Sequence, residues 1–422
     1  MKLTELPTEL LSIIVSHLGS DADCSTDLKS LRLSSRHMQH ACNPRLFHVL
    51  QTDLSPVSLR ELAYIIESEN IAPHIRTIYI CDHLIVKPTL SKATDAAAIR
   101  QRGVHLAGLP KHDALCEILL HLPRCHEVHI RPQTYTHISE GHWITDVDGC
   151  DYKKNLLSIL LRAVGEGMRV RVLRVATSDS EYDGFTPPQE LLNVHEDATE
   201  KEVQALWTNL QELSIWGGTG SGWTFANLCW ILTHATHLQH LSYCPTLHMY
   251  SFNAASANAI SCITSDRLET LELSWASVEV DDLLALLKRC SNTLRTVRFE
   301  WLQLPPTREG WGGILRYMSA HLSRLQEVAA HELYQGHRER VHWTSLPGMQ
   351  SHPEFLERPR DAKGVLQKSW TVRYHPPSDN SMIIEVRPLQ AHEDQPISVG
   401  KFKCCGPKIA EALNLLASHT RV

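Results

Sequence analysis

The sequence predicts an α/β chain: three helices at the N-terminus, then a solenoid of short strand–helix units, then a terminal hairpin and helix. Three observations predict it. The first fifty residues carry helix start and stop signals around short apolar runs. From residue 70 onward one pattern, apolar-x-x-apolar-x-apolar, recurs about eight times. Near the end, two strand-like runs flank Pro376-Pro377-Ser378-Asp379-Asn380 and precede an amphipathic stretch.

The first helix is expected from about Pro7 to Leu18. Pro7 suits a first helical position, Glu9 suits the positive end of the helix dipole, and Gly19 follows as a stop. Its apolar residues, Leu10, Leu11, Ile13, Ile14, Val15 and Leu18, span roughly 200° of the helix circumference at about 100° per residue. A helix packed on one core needs a stripe only a little over about 100° wide. The excess requires a second covering surface, from this chain or from a partner. A second helix is expected after residues 20–26, with Asp27 as cap and Leu28, Leu31 and Leu33 as its stripe, while Arg32, Arg36 and His37 stay polar. Asn43-Pro44 is expected to cap and start a short third helix filled by Leu46, Phe47, Val49 and Leu50.

Three stretches in order, Leu6-Pro7-Thr8-Glu9-Leu10-Leu11 with Ile14, Leu31-Arg32-Leu33-Ser34-Ser35-Arg36, and Asn43-Pro44-Arg45-Leu46-Phe47, resemble an F-box of the variety abundant in filamentous fungi. The resemblance covers about residues 3–50. It implies a three-helix module that binds a Skp-family adaptor and, through it, a cullin. Carried over by position, the adaptor-binding residues it implies are Leu6, Pro7, Leu10, Leu11, Ile14, Leu31 and Arg36. The chain departs from the commoner pattern at His37-Met38, where an aromatic residue often follows the Ser-Arg element.

The repeated pattern occurs at Ile75/Ile78/Ile80, Cys125/Val128/Ile130, Val170/Leu173/Val175, Leu210/Leu213/Ile215, Leu238/Leu241/Tyr243, Leu268/Leu271/Leu273, Leu294/Val297/Phe299 and Leu325/Val328/Ala330. The later copies lie about 26–31 residues apart, a solenoid spacing; the first are about 40–50 apart and carry insertions. The last two apolar positions of each copy alternate as in a strand. Helical runs precede most copies, at 113–122, 156–164, 225–233, 280–288 and 312–321. The clearest unit, Leu268-Glu269-Thr270-Leu271-Glu272-Leu273 followed by Val280 to Cys290 and Leu294, resembles a cysteine-containing leucine-rich repeat. That resemblance implies a strand on a concave face, a helix on a convex face, and Cys290 as a buried packing thiol. A looser α/β solenoid would leave the same trace.

Insertions at 131–152, 177–201 and 335–364 are where contact residues are expected, because stacked repeats place loops on one side. Tyr135, Trp143, Arg338 and Trp343 are the candidates for holding a target. Residues 365–422 are expected to cap the last repeat with the hairpin and a helix from about Pro407 to Ala417, and residues 51–70 to cap the other end. The expected organisation is therefore 1–50, 51–364 and 365–422.

Little chemistry is visible. The net charge of −6 gives no basic excess for nucleic acid, and no run of about 18 apolar residues suggests a membrane span. The N-terminal apolar stretch is broken by Pro7, Glu9 and His17, so a signal peptide is not expected. The 12 cysteines show no CxxC pair and read as reduced thiols of a cytoplasmic or nuclear protein. Among 26 histidines, His234/His237/His240 is the densest cluster, but the repeat strand interrupts its helical face; Cys116/His121/Cys125/His126 uses a repeat core position. The glycine loop from Gly217 to Gly222 lacks a following Lys and reads as a turn. No nucleophile–base set can be assembled. No metal, cofactor or catalytic residue is expected. The expected role is a non-catalytic substrate receptor of an SCF-type ubiquitin ligase that holds an unidentified protein target. The alternative is an F-box/repeat interaction scaffold not coupled to degradation.

Overall fold

The computed structural model describes residues 6–18, 24–52, 56–82, 110–132, 160, 163–176, 200–216, 231–244, 259–307, 310–336, 339–344, 346–347, 372–376, 383–388 and 398–421. The chain is mixed α/β with mostly parallel strands. It divides into two compact units, Met1–Ser180 with Pro187–Leu210, and Glu181–Thr186 with Gln211–Val422.

The first unit opens with three helices, α1 (Thr8–Leu18), α2 (Cys24–Ser34) and α3 (Arg36–Leu46). The third begins earlier than expected. Ser35, not Asn43, is its N-cap, accepting the Met38 N–H at 3.2 Å. Pro44 lies inside the last turn of α3, and Asn43 is fully buried. The Asn43 side chain is used instead in long-range bonds, accepting from Arg32 Nε at 2.9 Å and donating to the Asn70 carbonyl at 3.0 Å. Asp27 sits in the first turn of α2 rather than at its cap.

Four parallel strands follow: β1 (Val49–Thr52), β2 (Thr77–Asp82), β3 (Glu127–Pro132) and β4 (Val172–Ala176). Helices α4 (Pro56–Ile66) and α5 (Pro110–Leu120) lie between them, and α6 (Glu200–Asn209) closes the unit. Val49 and Leu50, expected on the third helix, form β1 instead. Residues 51–70 thus hold the rest of a first strand–helix unit rather than a separate cap. The register aligns Leu50, Ile78, Val128 and Leu173 in one row, and Thr52, Ile80, Ile130 and Val175 in the next.

In the second unit β5 (Glu212–Trp216), β6 (His240–Cys244), β7 (Thr270–Ser274), β8 (Thr296–Glu300) and β10 (Glu327–His331) are parallel, with the two-residue β9 (Gln303–Leu304) after β8. One row runs Leu213, Leu241, Leu271, Val297, Val328; the next runs Ile215, Tyr243, Leu273, Phe299, Ala330. Every apolar position of the eight copies named from the sequence is at most 6% exposed. Helix α7 (Val280–Arg289) buries Leu283, Leu286 and Leu287, and Cys290 beside it is fully buried. Burial pushes the Cys290 thiol up to about 11, so it stays a neutral packing group. Helix α8 (Gly310–His321) covers the apolar strand face, with Trp311 tilted 52° against Phe299 at 5.5 Å.

One hydrogen-bond motif ties consecutive units. The carbonyl just before a strand accepts two successive N–H groups of the next unit: His48 from Arg76 and Thr77, Arg76 from His126 and Glu127, and His126 from Arg171 and Val172. In the second unit Gln211, Gln239, Glu269 and Arg295 do the same for the following strands. The last such carbonyl, on Gln326, takes the Gly406 N–H at 3.2 Å. Gly406 has φ +92°, a conformation glycine adopts without strain.

Gly406 follows β16 (Ser398–Cys405), which pairs antiparallel with β10 and ends the parallel order. The expected hairpin is β14 (Val372–Tyr374) and β15 (Ile384–Pro388), with Val372 opposite Val386, and β15 pairs with β16. The long strand β16 was not expected. Neither was β13 (His342–Thr344), which pairs antiparallel with β16 and with β17 (Thr420–Arg421). Two further short strands, β11 (Tyr334–Gln335) and β12 (Glu339–Arg340), form a small sheet with β9. Helix α9 (Ile409–Ser418) packs on α8, where Ser319 Oγ donates to the Ala410 carbonyl at 2.7 Å. No helix among the described residues is long and apolar enough to cross a membrane.

Leu271, fully buried at the centre of its row, is expected to cost about 2–5 kcal/mol when cut to Ala. Its neighbour Glu272, on the opposite strand face, is expected to cost about 1 kcal/mol or less. Urea denaturation of the two variants measures the difference; equal costs would contradict the one-sided burial.

Candidate interaction surfaces

The three N-terminal helices share a core of Leu11, Val15, Leu28, Met38, Ala41 and Cys42, with Leu6, Leu31 and Leu46 partly buried against it. The His37 ring Nε2 lies 3.2 Å from the Leu6 carbonyl, the geometry of a donated N–H bond that anchors the chain ahead of α1. Arg32 lies over the Phe47 ring at 5.1 Å.

The wide apolar face of α1 therefore splits. Leu11 and Val15 point into the core, whereas Leu10 is 46% exposed and Ile13 53% exposed. Residues three apart on a helix are neighbours, so these two share a face. On α2, Leu33 is 79% exposed. Pro7 and Arg36 are exposed and Ile14 is half-buried. Of the residues carried over as adaptor contacts, Leu11 is corrected to a core residue, because it has no exposed surface to offer. Ile13 and Leu33 were not among them. The excess width of the α1 stripe was a signal for Ile13 in the sequence.

A second surface lies at the C-terminal ends of strands in the second unit. The residues just after β7, β8 and β10 are Trp275, Trp301 and Glu332, all with left-handed backbone, at φ 54°, 52° and 53°. Such a conformation costs a non-glycine residue about 1–3 kcal/mol, and it recurs here at three equivalent positions. The turn has a reason: the Trp275 N–H bonds the Glu300 carbonyl at 2.9 Å, the Trp301 N–H that of His331 at 2.8 Å, and the Glu332 N–H that of Gly400 at 3.1 Å. The indoles of Trp275 and Trp301 stack at 4.4 Å and 6°. Tyr334 continues the stack at 5.9 Å, and His331 meets Trp301 edge-on at 6.1 Å. All four rings are half-buried.

Charged groups rim this stack. His331 Nδ1 lies 3.0 Å from Glu300, and His331 Nε2 3.7 Å from the buried Glu332, which also pairs with Arg340. The His331 hydrogen bond holds the Glu300 carboxyl below its usual range, against the opposing effect of burial. Alongside, a ladder of alternating charge crosses the strands: Glu272–Arg298 at 2.7 Å, Arg298–Glu327 at 2.9 Å and Glu327–Lys403 at 3.3 Å. It joins the last parallel strands to β16.

Of the four candidate target-contact residues, Tyr135, Trp143 and Arg338 lie outside the described residues. Trp343 is corrected: it is fully buried on β13, edge-on to Phe402 at 4.7 Å and 88°. In the sequence Val341-His342-Trp343 alternates apolar–polar–apolar, the period of a strand rather than of a loop. The Gly217–Gly222 loop also lies outside the described residues. Cys116 and Cys125 are buried, and burial pushes the Cys125 thiol up to about 12. Among the described residues no three His, Cys, Asp or Glu side chains converge as a metal site. No family model matches the chain, and no curated protein matches it.

The depressed Glu300 has a testable consequence. A carboxyl whose folded pKa lies below its unfolded value stabilises the fold above the unfolded pKa, and that stability is lost as pH falls through the folded pKa. His331→Ala is expected to return Glu300 towards 4.5, its ordinary value, and to reduce the loss of stability on acidification. Carboxyl titration by NMR and acid denaturation measure both; an unmoved Glu300 would show that His331 is not the cause.

Proposed function

We propose that this chain is the substrate-recognition adaptor of an SCF-type ubiquitin ligase. Its N-terminal helices act as an F-box that seats a Skp-family adaptor and, through it, a cullin. The strand–helix units act as a leucine-rich-repeat-like solenoid that holds a protein target. The observation that carries this reading is the α1 face: Leu10 and Ile13 face outward although the same helix already fills a core with Leu11 and Val15. Covering an exposed Leu or Ile side chain is worth about 1.5–3 kcal/mol, so two of them give a partner a substantial driving force. The order of the three sequence stretches that resemble an F-box supports the identity of that partner.

In this reading the chain does no chemistry. It raises the concentration of its target beside the ubiquitin-loaded conjugating enzyme. The half-buried stack of Trp275, Trp301 and Tyr334 is the described surface best suited to a target, since aromatic residues dominate the energetics of protein contacts.

Co-purification with a Skp-family adaptor tests the reading. The wild type is expected to bind, and Leu10→Asp with Ile13→Asp to weaken binding about 100-fold or more while leaving the denaturation midpoint unchanged. A wild type that does not bind, or a double variant that binds as well as wild type, would contradict it.

A further inference from the structure

We propose a separate ligand site: a cleft at the edge of the first unit where β2, β3 and β4 begin, which binds a small oligophosphate. The cleft has a volume of about 580 Å³, within the range of small-molecule pockets. Arg76, Arg124, His126, Arg169 and Arg171 line it, and Glu166 is the one carboxylate among its lining residues. Its inner wall is apolar, with the buried Leu119, Leu122 and Cys125.

The four arginines form no ion pair among the described residues. Arginine past the C-terminus of a helix complements the helix dipole, and Arg124 beyond α5 does so. That does not account for Arg76 and Arg171. These two sit on the inter-unit hydrogen-bond ladder, where the Arg76 carbonyl accepts from His126 and Glu127 and the Arg171 N–H donates to the His126 carbonyl. Arg76, His126 and Arg171 therefore occupy successive rungs, about 4.8 Å apart per strand.

The second unit shows what the same rungs look like when balanced. There the equivalent residues are Gln211, Gln239, Glu269, Arg295 and Gln326, and Arg295 pairs with Glu269 at 3.5 Å. In the first unit no described carboxylate is ion-paired with Arg76, Arg124, Arg169 or Arg171, in a chain whose net charge is −6. Nearby His74 feels the same field: burial first, then Arg124 and Arg76, push its pKa down.

Guanidinium groups bind phosphate oxygens in bidentate pairs, and several arginines around one small cleft match several linked phosphates better than a single carboxylate. Inorganic tripolyphosphate is the probe. Titration calorimetry on the full chain at low salt is expected to show one saturable site that weakens as salt rises. Arg124→Gln with Arg171→Gln, both on exposed side chains, is expected to lower affinity at least tenfold. Arg295→Gln with Arg324→Gln, at the corresponding edge of the second unit, is expected to leave it unchanged. No saturable binding, or equal loss from the two double variants, would overturn the proposal. A phosphoserine peptide that binds in the cleft where tripolyphosphate does not compete would also overturn it, in favour of a macromolecular ligand.

Discussion

Within each unit one parallel strand is held to the next by a carbonyl that takes two N–H groups, a contact that recurs from His48 to His126 in the first unit and from Gln211 to Arg295 in the second. It fixes where each strand starts. Once the start is fixed, the one-to-one parallel register follows, and the apolar residues three and five positions past the first one stack into continuous rows. A slip of one residue would turn each row from the helix-covered face to the other face. The rows are buried throughout, so the ladder and the hydrophobic pattern specify the same arrangement. The ladder also explains the cap. A parallel sheet leaves its last carbonyls unanswered, and here Gly406 answers Gln326 while β16 covers the edge of β10.

The repeat was legible because its signal is redundant: three apolar positions per copy, all in the core. The helix after Gly310, the buried Cys290 and the β14–β15 hairpin were legible for the same reason, since each combines periodicity with a turn or stop signal. The failures share a physical cause. Asn43-Pro44 has the chemistry of a helix start, but tertiary bonds from Arg32 and to Asn70 consume the Asn43 side chain, and Ser35 caps α3 instead. Trp343 and β16 depend on pairing with residues far along the chain, which local pattern does not reveal. The recurring left-handed turns at Trp275, Trp301 and Glu332 were also invisible, because none of the three residue types signals a positive φ.

The described surfaces divide by character. The N-terminal helices expose aliphatic side chains, which suits a stable partner. The strand ends of the second unit expose stacked aromatic rings within a rim of paired charge, and the first unit lines a cleft with four arginines that form no ion pair among the described residues. In the proposed ligase reading the first two have roles, as adaptor seat and target contact. The arginine cleft is independent of that reading, since it rests on the charge of the rungs and not on the N-terminal helices.

The central claim is that the outward face of α1 is the seat of a Skp-family adaptor. Hydrogen–deuterium exchange on the full chain, with and without that adaptor, tests it most directly. The account predicts added protection across residues 7–18, centred on Leu10 and Ile13. Unchanged exchange in α1 while the adaptor is bound, or protection confined to other segments, would contradict it.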